Sequence, residues 1–170
     1  MWHYRLILAT ALAAAAVPAM AAPVAAPVPA KNRAIVLIPL TLTKIDDLSF
    51  GTLVPSPVSG AVSINATTGA RTTVGGVTGV ASDVGNRAYF GTAGSPNQQV
   101  ILTVSQPLAL TSAAGDTVTV LALTLDGAPI RTINPTTRSF FFGVGGVILI
   151  GADQPEGIYQ ATFDVTATYL

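Results

Sequence analysis

The chain contains no cysteine, and its single histidine is His3. Without cysteine it can form no disulfide staple, no thiolate nucleophile and no thiolate zinc site. With histidine confined to the first few residues, a Ser-His-Asp triad is excluded from the rest of the chain. Carboxylates and hydroxyls are what remain for catalysis, so no enzyme, no metal and no cofactor is expected. Charge is scarce as well: eight Lys or Arg balance eight Asp or Glu, and charged residues make up 9% of the sequence. Beyond residue 21 the cations are Lys31, Arg33, Lys44, Arg71, Arg87, Arg131 and Arg138. They offer no basic face for a phosphate backbone, and nucleic acid is not an expected partner. Beyond the N-terminal region no uninterrupted apolar run approaches the ~20 residues that cross a bilayer. Nowhere does a 3.6-residue apolar period persist through three turns, so helices are not expected.

Residues 1–21 have the features of a secretory signal peptide. One cation, Arg5, precedes an apolar run from Leu6 to Val17, and Ala19-Met20-Ala21 supplies a small-residue cleavage site. Export is therefore expected, to the periplasm, the cell surface or an extracellular fibre, with no transmembrane segment in the mature chain. Residues 22–33 place three prolines among alanines and end on Lys31 and Arg33, the composition of an extended leader. Residues 34–170 are expected to form one domain. Half of the sequence is hydrophobic, which excludes the composition of a disordered chain. Thr and Val are abundant; both are stiff at χ1 and favour strands.

The pattern predicts an all-β sandwich, with a jelly roll or barrel as the alternative. Ala34–Lys44 reads as a strand with Val36, Ile38, Leu40 and Leu42 on one face, Pro39 arguing for an edge or bulge. Leu48-Ser49-Phe50-Gly51 leads into a short strand or corner that Pro55 and Pro57 break. Ala61–Ala66 alternates around Val62 and Ile64 and runs into a turn at 67–70. Residues 71–86 suggest short strands with loops. Residues 87–91 and 99–105 are strands around the turn at 94–97, and Thr117–Leu125 ends at Asp126-Gly127, a hairpin signal. In 138–150, Gly143, Gly145 and Gly146 suggest a bulge or two short strands. Strands spaced by ~10 residues with turns between them suit a sandwich.

Several small motifs have ordinary explanations. Asp46-Asp47 reads as a solvated turn before half of a calcium site. Asp153 and Glu156, which flank Gln154-Pro155, read as a polar turn before a glycosidase carboxylate pair. Asn65-Ala66-Thr67 matches a short glycosylation pattern that arises by chance. Gly143-Val144-Gly145-Gly146 lacks the strand and helix context of a nucleotide loop. Phe140-Phe141-Phe142, as a strand, puts at least one aromatic on the outer face.

The most informative segment is 157–170, GIYQATFDVTATYL. Tyr159, Ala161, Phe163, Val165, Ala167 and Tyr169 share one parity, and Gln160, Thr162, Asp164, Thr166 and Thr168 the other. Period two puts the sets on opposite faces, as in a principal core strand, and the chain stops directly after it. Such a strand needs a neighbour on each side or presents an edge that pairs with another chain. An ordinary core strand in a closed sandwich and an assembly strand both fit this pattern.

The same segment resembles the last strand of the chaperone-usher pilins, with Gly157 fourteen places from the end and Tyr169 at the penultimate place. Together with the Leu48-Ser49-Phe50-Gly51 corner and the run from Gln154 to Tyr159, it resembles the spore coat protein U type, archaic pilins. It is most similar to an uncharacterised family of secreted pilin-like domains of unknown function. The resemblance covers residues 34–170 and is strongest at the two ends. Many archaic pilins carry a disulfide near the first strand, and this chain departs from them in having none.

The resemblance implies an immunoglobulin-like β-sandwich that is incomplete, with an open groove for a donor strand. It also implies a structural subunit of a bacterial surface fibre or coat, with homotypic or related pilin-like subunits, a periplasmic chaperone and an outer-membrane usher as partners. Gly157, Tyr159, Ala161, Phe163, Val165, Ala167 and Tyr169 would form the groove-facing strand. By pattern the better donor is Ala34–Leu42, carrying Val36, Ile38, Leu40 and Leu42, unless that stretch is the domain's own first strand. The alternative to a fibre subunit is a self-complete exported sandwich acting as an adhesive or binding module.

Overall fold

The computed structural model describes Val28 and residues 31–170. The expected signal peptide and most of the expected leader lie outside the described residues. Ten strands follow in order: β1 (Thr41–Asp46), β2 (Leu53–Ile64), β3 (Arg71–Gly79), β4 (Ala88–Ala93), β5 (Gln99–Val104), β6 (Ala109–Thr111), β7 (Thr117–Leu125), β8 (Ile130–Thr132), β9 (Ser139–Ile150) and β10 (Val165–Tyr169). No helix occurs among the described residues, and every strand pairing is antiparallel. The domain is an all-β sandwich of one seven-stranded and one three-stranded sheet.

β9 is the axis of the larger sheet. Along one edge it pairs with β4 through Ser139–Val144 and then with β2 through Gly146–Ile150. Along the other it pairs with β7. The glycines expected to break this segment instead allow a single 12-residue strand. A Cβ on Gly145 would overlap the Ile64 carbonyl, so glycine is what lets β2 and the following turn pack so closely. The irregularity falls on β7 instead, as a register shift between Val120 and Ala122.

Four other expectations are corrected. The first strand begins at Thr41 rather than Ala34, and residues 31–40 carry no strand. β2 runs through Pro55 and Pro57, because its Leu53–Pro55 half pairs with β3 alone and a shift at 55–60 absorbs the missing donors. Residues 71–79 make one strand rather than several. Asp126-Gly127 is not a hairpin turn. Asp126 accepts hydrogen bonds from Arg131 Nη2 (2.6 Å) and the Gly143 amide (2.8 Å), and the chain crosses to β8 in the other sheet.

Two apolar clusters fill the interior. The first joins Ala88, Phe90, Phe142 and Val144 of the large sheet to Val100 and Leu102 of β5, with Ile133 between them. The second holds Val62, Val77, Val118, Val120, Ile148 and Ile150. β10 and β5 pack against the first cluster, while the second has no strand of the smaller sheet packed on it and is flanked by Phe50, Leu53, Leu110, Leu123 and Tyr159. On the outer face Phe141, 54% exposed, stacks on Tyr89 at 5.8 Å, as the run of three phenylalanines implied.

Candidate groove beside the 157–170 segment

Over the second cluster lies an apolar groove of about 590 Å³. Val118, Val120, Ile148 and Ile150 form its floor, Leu48–Leu53 one wall, and Gln154–Phe163 the other. Asp83 and Glu156 are the charged residues along it. The floor residues are at most 6% exposed, so the furrow is narrow. No hydrogen bond joins the two walls among the described residues. Widening it therefore breaks no hydrogen bond between the walls.

The sequence predicted one long strand over 157–170, with six inward side chains. The structure corrects this: only Val165–Tyr169 is strand, and none of the six is fully buried. The alternation nonetheless persists in exposure from Phe163 to Tyr169, odd positions half-buried and even positions exposed. The backbone follows the same parity. Gln160 exchanges two hydrogen bonds with Thr111 (3.0 and 3.1 Å), the Asp164 carbonyl accepts from Ser105 N (2.8 Å), and Leu170 N donates to Gln99 (3.0 Å). Even positions thus face β6 and β5, which turns the backbone groups of the odd positions the other way. Among the described residues no strand pairs with that outer edge.

Gly157, Tyr159, Ala161 and Phe163 line the groove. Val165, Ala167 and Tyr169 lie beyond it and pack on the first cluster beside Leu40 and Leu42. Tyr169 is an anchor: its hydroxyl accepts from Ser95 N (2.7 Å) and donates to the Ile38 carbonyl (2.8 Å), while Ile38 N donates to Ser95 Oγ (2.7 Å). Of the candidate donor positions, Leu42 sits in β1 opposite Thr92, Leu40 joins the same core, and the side chains of Val36 and Ile38 are exposed.

On the far wall, Tyr159 packs on the second cluster while its hydroxyl donates to the Pro155 carbonyl (2.7 Å) and accepts from Gln154 Nε2 (3.0 Å). Gln154 also bonds the Thr117 carbonyl and the Gly151 amide (3.2 Å each). The near wall depends on a residue that sequence reasoning missed. Arg71 Nη1 donates to the carbonyls of Phe50, Thr52 and Asp83, and Nη2 to that of Val80. The Thr52 hydroxyl, foremost, holds the Asp83 carboxyl below its ordinary pKa, and the Arg71 charge adds to this.

Asp153 sits just before the far wall, donating its amide to the Ser56 carbonyl (2.9 Å), and Glu156 lies exposed within the wall's turn. Asp47 forms an exposed pair with Lys44. Asn65 spends its side chain on the amides of Thr67 and Thr68. No metal-holding cluster occurs among the described residues.

No curated protein and no solved structure matches the chain. Residues 40–169, which contain all ten strands and both groove walls, match the model of a family described as Domain of unknown function (DUF4402), and the chain belongs to that family.

Proposed function

We propose that this domain is an exported structural subunit of a bacterial surface fibre or coat, assembled by β-strand donation between subunits. One observation carries the reading: an apolar groove runs beside a segment whose odd-numbered backbone groups have no partner among the described residues. An incoming extended segment would hydrogen-bond to Tyr159, Ala161 and Phe163 and lower alternate apolar side chains onto Val118, Val120 and Ile148. Because the groove spans 157–163, it admits two or three such side chains. At ~1.5–3 kcal/mol each they supply about 3–9 kcal/mol before the cost of ordering the donor.

The narrowness of the floor favours one other reading, a self-complete exported sandwich that acts as an adhesive or binding module. The two readings differ in oligomeric state. Strand donation predicts SDS-resistant ladders of the exported protein that disappear in Ala161→Asp and Phe163→Asp and persist in Val74→Asp, a substitution on β3 away from the groove at a residue 60% exposed. A wild-type protein that stays monomeric at all concentrations, with or without a co-expressed chaperone, would overturn it.

A further inference from the structure

The two walls of the groove are held very differently. Leu48–Leu53 is fastened from behind. Ser49 and Asn86 exchange two backbone bonds (2.9 Å each), Thr52 N donates to Asp83 (3.3 Å), Val80 N donates to Thr52 (2.9 Å), and Thr52 Oγ1 reaches the Asp83 carboxylate (2.8 Å). Arg71 then gathers four carbonyls of this corner and of the loop behind it, at 2.7–3.2 Å. Gly51, at φ 70°, is what brings the backbone this close, since a Cβ there would overlap the Asp83 carbonyl. The opposite wall has two ties to strands, the Gln160–Thr111 pair and the Gln154 side chain on the Thr117 carbonyl (3.2 Å), and otherwise only the bonds of Tyr159 and Gln154 around its own turn.

We infer that Arg71 is a positioning residue for capture of an extended apolar peptide segment: it immobilises the Leu48–Leu53 wall, so that the groove opens by movement of Gln154–Phe163 alone. This rests on the strand-donation reading and deepens it. A partner that meets one wall already ordered loses entropy over the other wall only, which is how preorganisation raises affinity. A guanidinium suits the task because its fixed fork addresses several carbonyls at once and stays charged at every working pH. An ammonium at the same place is a single point and cannot reach all four.

The test uses the full chain and a labelled synthetic peptide of residues 22–42, which carries all four candidate donor positions, with binding followed by fluorescence anisotropy and exchange by mass spectrometry. In the wild type, the amides of Ser49, Thr52, Val80 and Asn86 are expected to exchange at least about tenfold more slowly than those of Thr111 and Gln160. Arg71→Lys is expected to keep its urea midpoint to within the spread of surface substitutions and yet bind the peptide about tenfold more weakly, on the scale of one charge-assisted hydrogen bond. A folded Arg71→Lys with unchanged affinity would overturn the inference and leave strand donation standing. A wild type that ignores the peptide would overturn both. Should the variant not fold, the wild-type exchange pattern decides: equal exchange on both walls refutes a fixed and a moving wall.

Discussion

Changing Tyr159 to phenylalanine removes one oxygen from the movable wall of the groove and leaves its ring on the second cluster. That oxygen takes part in two hydrogen bonds, to the Pro155 carbonyl at 2.7 Å and from Gln154 Nε2 at 3.0 Å. Pro155 is exposed and its carbonyl can turn to water, while Gln154 keeps the Thr117 carbonyl. No buried polar group is orphaned, so the loss is the net worth of the bonds, about 1 kcal/mol in all, and not a desolvation penalty. Because those bonds close the turn 154–159 on itself, they hold this wall rather than the sandwich. The reporters are the amides of Gln160 and Thr111, which bond each other across the wall's one backbone tie to a strand. A loss of 1 kcal/mol from local closure raises their exchange about fivefold. Amides of β9, at the centre of the large sheet, should be unaffected, and the global urea midpoint should barely move. Hydrogen exchange read residue by residue measures both. If Gln160 and Thr111 exchange as in the wild type, or if every amide accelerates equally, the wall is not an independently opening element and the reasoning fails.

Asp126→Ala removes the acceptor of both Arg131 and the buried Gly143 amide, and strands a mostly buried cation. It should destabilise the domain by about 3 kcal/mol in urea unfolding, and Asp126→Asn, which still accepts from Gly143, by less. The depressed folded pKa of Asp83 makes its carboxylate a contributor to stability at pH above the ordinary value near 4, a contribution that fades as pH falls through the folded pKa. Asp83→Asn should therefore flatten the acid limb of stability against pH below about 4 and leave the slope at neutral pH as it is, which pH-dependent urea midpoints would show.

Strand periodicity was legible wherever one face packs and the other meets solvent. Val62 and Ile64 alternate with half-exposed neighbours in β2, and the odd and even positions of 163–169 keep their two environments even where regular pairing ends at Val165. Legibility failed where a residue's usual local meaning was overridden by a tertiary partner. Asp126-Gly127 carries the chemistry of a tight hairpin, yet a carboxylate committed to Arg131 and to the Gly143 amide sends the chain into the other sheet. Gly143, Gly145 and Gly146 look like breaks, yet Gly143 and Gly145 make room for the end of β2 and the turn after it, and Gly146 for Ala122 and Leu123 of β7. Pro55 and Pro57 look like a stop, yet they fall where β2 lacks its β9 neighbour and no donor is missed.

The groove shows the same division between what a period encodes and what a fold assembles. Its far wall was read from alternation, a property of neighbouring residues. Its floor comes from β7 and β9, and its near wall is held by Arg71, a single cation after a turn, 21 residues from Phe50. Nothing in the residues around Arg71 distinguishes it from a solvated surface arginine; its meaning lies in four carbonyls that only the folded chain brings together. The near wall nonetheless left one local trace. Leu48-Ser49-Phe50-Gly51 ends in a left-handed glycine against the Asp83 carbonyl, a conformation a strand would not use, and so marks a corner bent toward something behind it. A glycine that a strand pattern does not require, followed within ~20 residues by an isolated arginine, is thus the form in which such a clasp would be sought in other sandwich sequences, with backbone carbonyls as the arginine's partners rather than acids.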